Sequence, residues 1–173
     1  MSCDTSKGNF AYIDNQNLFM ATQRQEDAWR VDMRRLRIYL REKYGVSKAY
    51  LFMGAFDINR QDLYAEFQDA GYVLVFREHG INFKGKKKGN VDVDIVFELM
   101  RDALTNDLMD RAVLISGDGD YYRVIKYLKD IGKLEKVLLP SRRSASSLYK
   151  QLTDKYLARL DDEGTKAKIR RDE

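Results

Sequence analysis

Three aspartates directly follow short apolar segments that are typical of β-strands. Asp14 follows Phe10–Ile13, and both Asp118 and Asp120 lie in a glycine-containing turn after Ala112–Ile115. In open α/β sheets, ligands bind at the carboxyl ends of the strands, near the point where the strand order reverses. We therefore expect the two acidic segments to face each other at one edge of a parallel sheet.

A fourth aspartate, Asp92, opens a helix-patterned segment. The residues on the same side of that helix are the apolar Ile95, Val96 and Leu99, so Asp92 is predicted to head the inward face. The same spacing counted from Asp94 gives a largely polar face. Asp92 is therefore expected to point toward the sheet, and Asp94 toward water.

Carboxylates that converge on one pocket repel one another and lose hydration, and a bound cation offsets both costs. A ligand set made only of carboxylate oxygens suits Mg²⁺ or Mn²⁺ rather than zinc. Such ions position and activate water against phosphate esters. The sequence therefore favours phosphoryl chemistry, with one structural alternative: each aspartate could instead cap the helix that follows it.

The elements that must position these side chains alternate along the chain. Five short apolar segments are predicted strands: Phe10–Ile13, Ala49–Met53, Tyr72–Phe76, Ala112–Ile115 and Lys136–Leu139. Five segments have helical patterning: Asp32–Tyr44, Asn59–Ala70, Val91–Leu104, Tyr121–Ile131 and Ser144–Leu160. This alternation predicts a Rossmann-like, three-layer α/β/α sandwich around a mainly parallel five-stranded sheet, with the first and fourth strands adjacent.

Length and composition predict one domain. The chain has 173 residues, of which 44% are hydrophobic, enough to bury a core. We expect a polar leader over residues 1–8, the domain over 9–160 and a charged, flexible tail over 161–173. A single cysteine, Cys3, excludes an intrachain disulfide, and no segment has the apolar length of a signal peptide or membrane span. A cytoplasmic protein is expected.

Basic residues predict where a polyanion would bind. Lys and Arg number 31 against 27 Asp and Glu, which permits a nucleic-acid partner without requiring one. The expected substrate contacts are Lys84, Lys86, Lys87, Lys88, Arg142, Arg143 and Tyr122. The lysines lie in the glycine-rich segment His79–Asn90, a predicted mobile loop, where they could guide a phosphate backbone or form a solvated charge run.

The sequence resembles the NYN domain family, a branch of the PIN-like nucleases, in four segments. These are Ile13–Leu18, Lys88–Val93, Ser116–Tyr121 and Ser144–Leu160, which appear in the family's order. Each motif is short, but together they cover nearly the whole chain, about residues 9–160.

The resemblance implies a PIN-like fold, an acidic Mg²⁺ or Mn²⁺ site and endonucleolytic cleavage, with RNA as the expected substrate. It places Asp14, Asp92, Asp118 and Asp120 at the acidic positions. It also implies that Asn17 and Ser116 act as polar supports for metal-bound water.

Two other functions fit the same residues. A module of this fold could bind RNA or protein as a scaffold without useful turnover. Asp92–Ile95 also resembles the nucleophile motif of haloacid-dehalogenase-like phosphatases, although that motif ends a first strand and this one is predicted to open a helix. Homodimerisation through exposed helices is possible, but nothing in the sequence specifies it.

Overall fold

In the part of the chain that the structure describes, the sheet has six parallel strands. A computed structural model describes residues 7–78 and 91–172. The strands are β1 (Gly8–Asp14), β2 (Val46–Met53), β3 (Tyr72–Phe76), β4 (Met109–Ile115), β5 (Leu134–Leu139) and β6 (Leu157–Arg159). Their order is β3-β2-β1-β4-β5-β6, and every neighbouring pair is parallel. The predicted adjacency of the first and fourth strands is confirmed, and one strand more is present than expected.

Helices cover both faces of this sheet, as the three-layer prediction requires. They are α1 (Asn15–Gln23), α2 (Met33–Tyr44), α3 (Gln61–Asp69), α4 (Val91–Thr105), α5 (Tyr122–Asp130) and α6 (Glu163–Ile169). The first three and α6 contribute to one core cluster, whereas α4 and α5 contribute to the other. Alternate side chains of β1 pack in the two clusters, because successive side chains of a strand point to opposite faces. Ala11 and Ile13 belong to the first, and Phe10 and Tyr12 to the second.

Local signals in the sequence set the ends of α2. The Asp32 carboxylate accepts a hydrogen bond from the Arg35 backbone N–H at 3.0 Å, which caps the first turn. Gly45 ends the helix with φ of 60°, a left-handed conformation that favours glycine. The helix therefore begins and ends close to the predicted Asp32–Tyr44.

The predicted final helix, Ser144–Leu160, is wrong. A 3₁₀ helix forms at Ser147–Gln151, and the chain then becomes extended as β6. β6 pairs with the backbone groups on the outer edge of β5, which would otherwise be the open edge of the sheet. The backbone N–H of Val137, for example, donates to the carbonyl of Tyr156 at 2.7 Å.

The predicted flexible tail is also wrong over most of its length. Residues 161–173 include α6, whose Ile169 is fully buried in the core beside α2. The Ile169 carbonyl accepts from the Asp32 backbone N–H at 2.8 Å, and Arg35 donates to the Arg170 carbonyl at 2.7 Å. Because the segment is rich in charged residues, its composition did not indicate that the apolar side chain of Ile169 packs in the domain core.

Some predictions fall outside the described residues. The loop His79–Asn90, with its four lysines, and most of the expected leader belong to this group. Within residues 7–78 and 91–172, no helix is long and apolar enough to cross a membrane.

Candidate functional site

Asp14 lies at the junction of β1 and α1. Its carboxylate caps α1 by accepting a hydrogen bond from the Asn17 backbone N–H at 3.0 Å. The side chain is only 5% exposed, so the carboxylate has lost most of its hydration. Burial raises the pKa of Asp14, although the hydrogen bonds from Asn17 and Tyr121 oppose that rise and the nearby carboxylates Asp92 and Asp118 add to it.

Three further carboxylates meet at the same edge of the sheet. Asp92 lies in the first turn of α4, and Asp118 and Asp120 follow β4 in the acidic turn. Each offers one oxygen within 4.8 Å of the other two. Ligand oxygens held about 2.1 Å from a small divalent ion lie at most about 4.2 Å apart, so small side-chain rotations would bring the three oxygens within reach of one ion. The geometry and donor type fit a divalent cation.

Asp94 lies in the same helical turn but is not part of this cluster. The cluster thus contains Asp92, the residue that helical spacing directs inward, whereas Asp94 is half-buried outside it rather than exposed to water. The predicted inward face is also present, since Ile95 and Leu99 are fully buried.

The hydroxyl of Tyr121 joins Asp14 to the cluster. It lies 3.1 Å from Asp14 Oδ2 and 2.8 Å from Asp92 Oδ1. A phenol has one proton to donate, so it satisfies only one ionised carboxylate at a time. Burial raises the pKa of Asp92 too, against the hydrogen bond from Tyr121, and burial keeps the pKa of Tyr121 well above its ordinary range. Tyr121 therefore donates as a neutral phenol.

The acidic turn is held by side chains that surround it. Asn17 Oδ1 accepts from the Gly117 backbone N–H at 2.9 Å, and Ser116 Oγ accepts from the Asp118 backbone N–H at 3.1 Å. Both predicted water supports thus use an oxygen to fix the turn. The hydroxyl of Tyr149 donates to the Asp118 carbonyl at 2.5 Å, which fixes the turn from the other side.

Close packing explains a glycine in this turn. A methyl group added at Gly119 would come within 2.6 Å of Ser146 Oγ, closer than real side chains approach. Gly119 therefore lets the segment before the 3₁₀ helix at Ser147–Gln151 lie directly against the acidic turn. Gly119 does not have a positive φ, so close packing rather than backbone conformation explains the glycine, and the packing partner could not be read from the sequence.

The predicted substrate residues differ in their exposure and contacts, and some lie outside the described residues. Arg142 and Arg143 follow β5 and are exposed; Arg143 lies 3.5 Å from Asp27 in an ion pair. Tyr122 is half-buried, its hydroxyl donates to Gln151 at 3.2 Å, and its ring meets Tyr149 edge-on. Lys84, Lys86, Lys87 and Lys88 lie outside the described residues.

Tyr121, like Tyr149, is a site residue that the sequence analysis missed. Helical spacing assigned it to the core, and its side chain is fully buried as expected. The available signal was its type: a core position next to an acidic turn carries tyrosine rather than phenylalanine, and a buried phenol usually has a polar partner.

Comparisons with known proteins agree with this architecture. A family model of the NYN domain matches residues 11–160. The low amplitude and bright protein LabA of Synechococcus elongatus is 31% identical over 130 residues, covering 68% of this chain and 66% of LabA, just under two thirds of that relative. A protein of unknown function from Vibrio parahaemolyticus has the same fold, with a TM-score of 0.73, 21% identity, and coverage of 94% of this chain and 98% of that one. The chain belongs to the NYN domain family.

Proposed function

We propose that the protein is a metal-dependent nuclease that hydrolyses phosphodiester bonds, and that its substrate is RNA cleaved internally. The observation that carries the proposal is the meeting of Asp92, Asp118 and Asp120 within 4.8 Å, with buried Asp14 linked to them through Tyr121. Crowded carboxylates at the ligand-binding edge of an α/β sheet repel one another and lose hydration, and a bound cation would offset both costs.

Each residue has a distinct part in this proposal. Asp92, Asp118 and Asp120 would hold Mg²⁺ or Mn²⁺, which when bound polarises the phosphate and activates water. Asp14 would add a fourth negative charge, held in place by its cap on α1. Asn17 and Ser116 would position the acidic turn, and through it the ligands.

Basic and aromatic residues would hold the substrate. We propose that the lysines at 84, 86, 87 and 88 contact the phosphate backbone, together with Arg142 and Arg143. Tyr122 is the proposed stacking residue. Its ring is held by Tyr149 and Gln151, so a base would meet a fixed aromatic surface.

The phosphatase alternative loses its basis in this fold. Asp92 lies in the first turn of α4 rather than at the end of a strand. The nucleophile motif it resembled depends on that strand-end position. A binding module of the same fold differs from the nuclease only in turnover, so cleavage is the measurement that separates them.

Labelled single-stranded and structured RNAs incubated with Mn²⁺ or Mg²⁺ test the proposal. We expect metal-dependent internal cleavage that EDTA abolishes and that falls by at least about a hundredfold in Asp14→Asn and in Asp118→Asn. Asp94→Asn is the matched control, because Asp94 shares a helical turn with Asp92 but lies outside the cluster.

The control should retain most of the wild-type rate. Equal products from the wild type, Asp14→Asn and Asp118→Asn would mean that the cleavage comes from a contaminant. Metal-independent RNA binding without products would favour the scaffold alternative.

A further inference from the structure

A groove with a cavity of about 900 Å³ lies beside the acids, on the other side of β1. It is bounded by α1, α3 and the start of α2, and its floor reaches the end of β2 at Met53. Its near end is formed by Asn15 and Gln16, which directly follow Asp14. The size is within the range of ligand-binding cavities, about 300–1,000 Å³. A chain-like ligand leaving the acids along the sheet edge would enter this groove.

Arginines dominate the charge of the groove. Its lining includes Arg24, Arg30, Arg34, Arg60 and Arg171, against Asp32, Asp57 and Glu66. Arg60 lies 3.8 Å from Asp57, so that pair is locally neutral. The other four arginines are exposed, and none forms an ion pair with a carboxylate among residues 7–78 and 91–172. The groove therefore presents unneutralised guanidinium groups, which suit phosphate.

The groove also offers the contacts that nucleobases use. Phe19 is 44% exposed at its wall, where a flat base could stack on the ring. The side-chain amides of Asn15, Gln16 and Gln23 form no hydrogen bond with another described residue. Amides pair well with the edges of unpaired bases. Phosphate, ring and base-edge contacts occur together in a single-stranded nucleic acid, whereas a duplex keeps its ring faces stacked.

We propose that this arginine groove binds the part of a single-stranded nucleic acid that adjoins the phosphodiester at the acidic cluster. The inference rests on the proposed function for that scissile phosphate. The groove side chains themselves define the ligand class. An acidic peptide would match the guanidinium groups but would leave the exposed ring and the free amides without partners.

Binding of a fluorescein-labelled single-stranded RNA of mixed sequence, measured by anisotropy in EDTA, tests the arginines. Arg34→Glu should weaken binding on the order of tenfold and lower the salt dependence, since each phosphate contact contributes a slope of about 0.7. Arg41→Glu is the matched control: Arg41 is also exposed on α2 but lies in its last turn, away from the groove. Arg24→Glu provides a second groove variant should Arg34→Glu fold poorly.

The aromatic contact has its own matched pair. Phe19→Ala should weaken binding at least about fivefold, which is the low end for loss of one stacked base. Phe97→Ala should leave binding within about twofold, because Phe97 is even more exposed but lies on α4, on the other face of the sheet. Melting temperatures in EDTA verify that each variant is folded.

Several results would overturn the inference. These are equal losses in the groove variants and their controls, equally tight binding of a duplex of the same sequence, or equal competition by a polyglutamate peptide. Because EDTA prevents cleavage, this test is separate from that of the nuclease. Metal-dependent cleavage with unchanged binding in Arg34→Glu and Phe19→Ala would contradict only the groove proposal. Groove-dependent binding without cleavage would contradict only the nuclease proposal.

Discussion

Tyr121 has one hydroxyl proton and two carboxylates within reach of it. Without a cation, one of Asp14 and Asp92 must be protonated or lack that donor, since both lie within about 3 Å of the phenol oxygen. Burial raises the pKa of both acids, so each carboxyl group holds its proton more strongly than it would in water. A divalent ion would relieve the competition for the phenol proton by neutralising the carboxylates. At the scale of single residues, a positive charge bound at the site would therefore stabilise its carboxylates.

Removing the Tyr121 hydroxyl should show how much it contributes to the stability of the folded protein. In EDTA, Tyr121→Phe should lower the free energy of unfolding by about 1–3 kcal/mol, because buried Asp14 loses a hydrogen-bond donor. Tyr122→Phe serves as the control, since its hydroxyl bonds to Gln151 in an exposed position. It should cost less than about 1 kcal/mol. Urea denaturation measures both, and equal stabilities of Tyr121→Phe and the wild type would contradict the role given to the phenol.

The raised pKa of Asp14 predicts the pH dependence of the metal-free protein. The folded state holds its proton to higher pH than the unfolded state, whose carboxyl has the ordinary value of 3.8. Stability from this group is therefore complete below that value and is lost as pH rises through the folded pKa. Asp14→Asn should be more stable than the wild type in EDTA at neutral pH, and the difference should shrink as pH falls toward 4.

Asparagine suits this test because it can still cap α1 and contact Tyr121. Melting temperatures across the pH range provide the measurement. A wild type that is the more stable protein at neutral pH in EDTA would show that the Asp14 carboxylate is not strained by burial.

The elements differ in how far the sequence could predict them. β1, β4 and α4 were predictable because their apolar residues follow the periods of strand and helix. The acidic edge of the sheet was predictable for the same reason, because its aspartates lie at the ends of these elements. The short helix α1 was missed because its apolar residues have no clear periodicity. β6 and α6 were missed because each depends on a distant partner, the open edge of β5 and the side of α2. Local pattern does not encode such partners.

The helix α6 should contribute to stability despite its charge. Ile169→Ala should cost about 2–5 kcal/mol, because the side chain is fully buried against the core next to α2. Lys168→Ala changes the neighbouring exposed position and should cost less than about 0.5 kcal/mol. Chemical denaturation of the two variants measures the difference. Equal, small effects would support the flexible tail that composition predicted.

At the scale of the whole molecule, opposite charges lie side by side along one sheet edge. The carboxylates of the cluster belong to α4 and the acidic turn, and the arginine groove lies on the other side of β1. A net charge of +4 describes neither region. A metal ion would lower the negative charge next to the groove, so a polyanion could span both regions with less repulsion. Metal occupancy and polyanion binding would thus be coupled through charge.

Metal binding should therefore stabilise the whole domain. At about 100 times its dissociation constant, Mg²⁺ or Mn²⁺ should add about 2.7 kcal/mol, or roughly 5–11 °C in melting temperature for a chain of this size. The combined variant Asp14→Asn with Asp118→Asn should lose most of this gain, since it removes two negative charges from the cluster and weakens the pull on the ion. Asp94→Asn should keep it, because that carboxylate is outside the cluster. Thermal melts with each metal, compared with EDTA, decide the matter: a full gain in the double variant would place the ion elsewhere, and no gain in the wild type would remove the shared site.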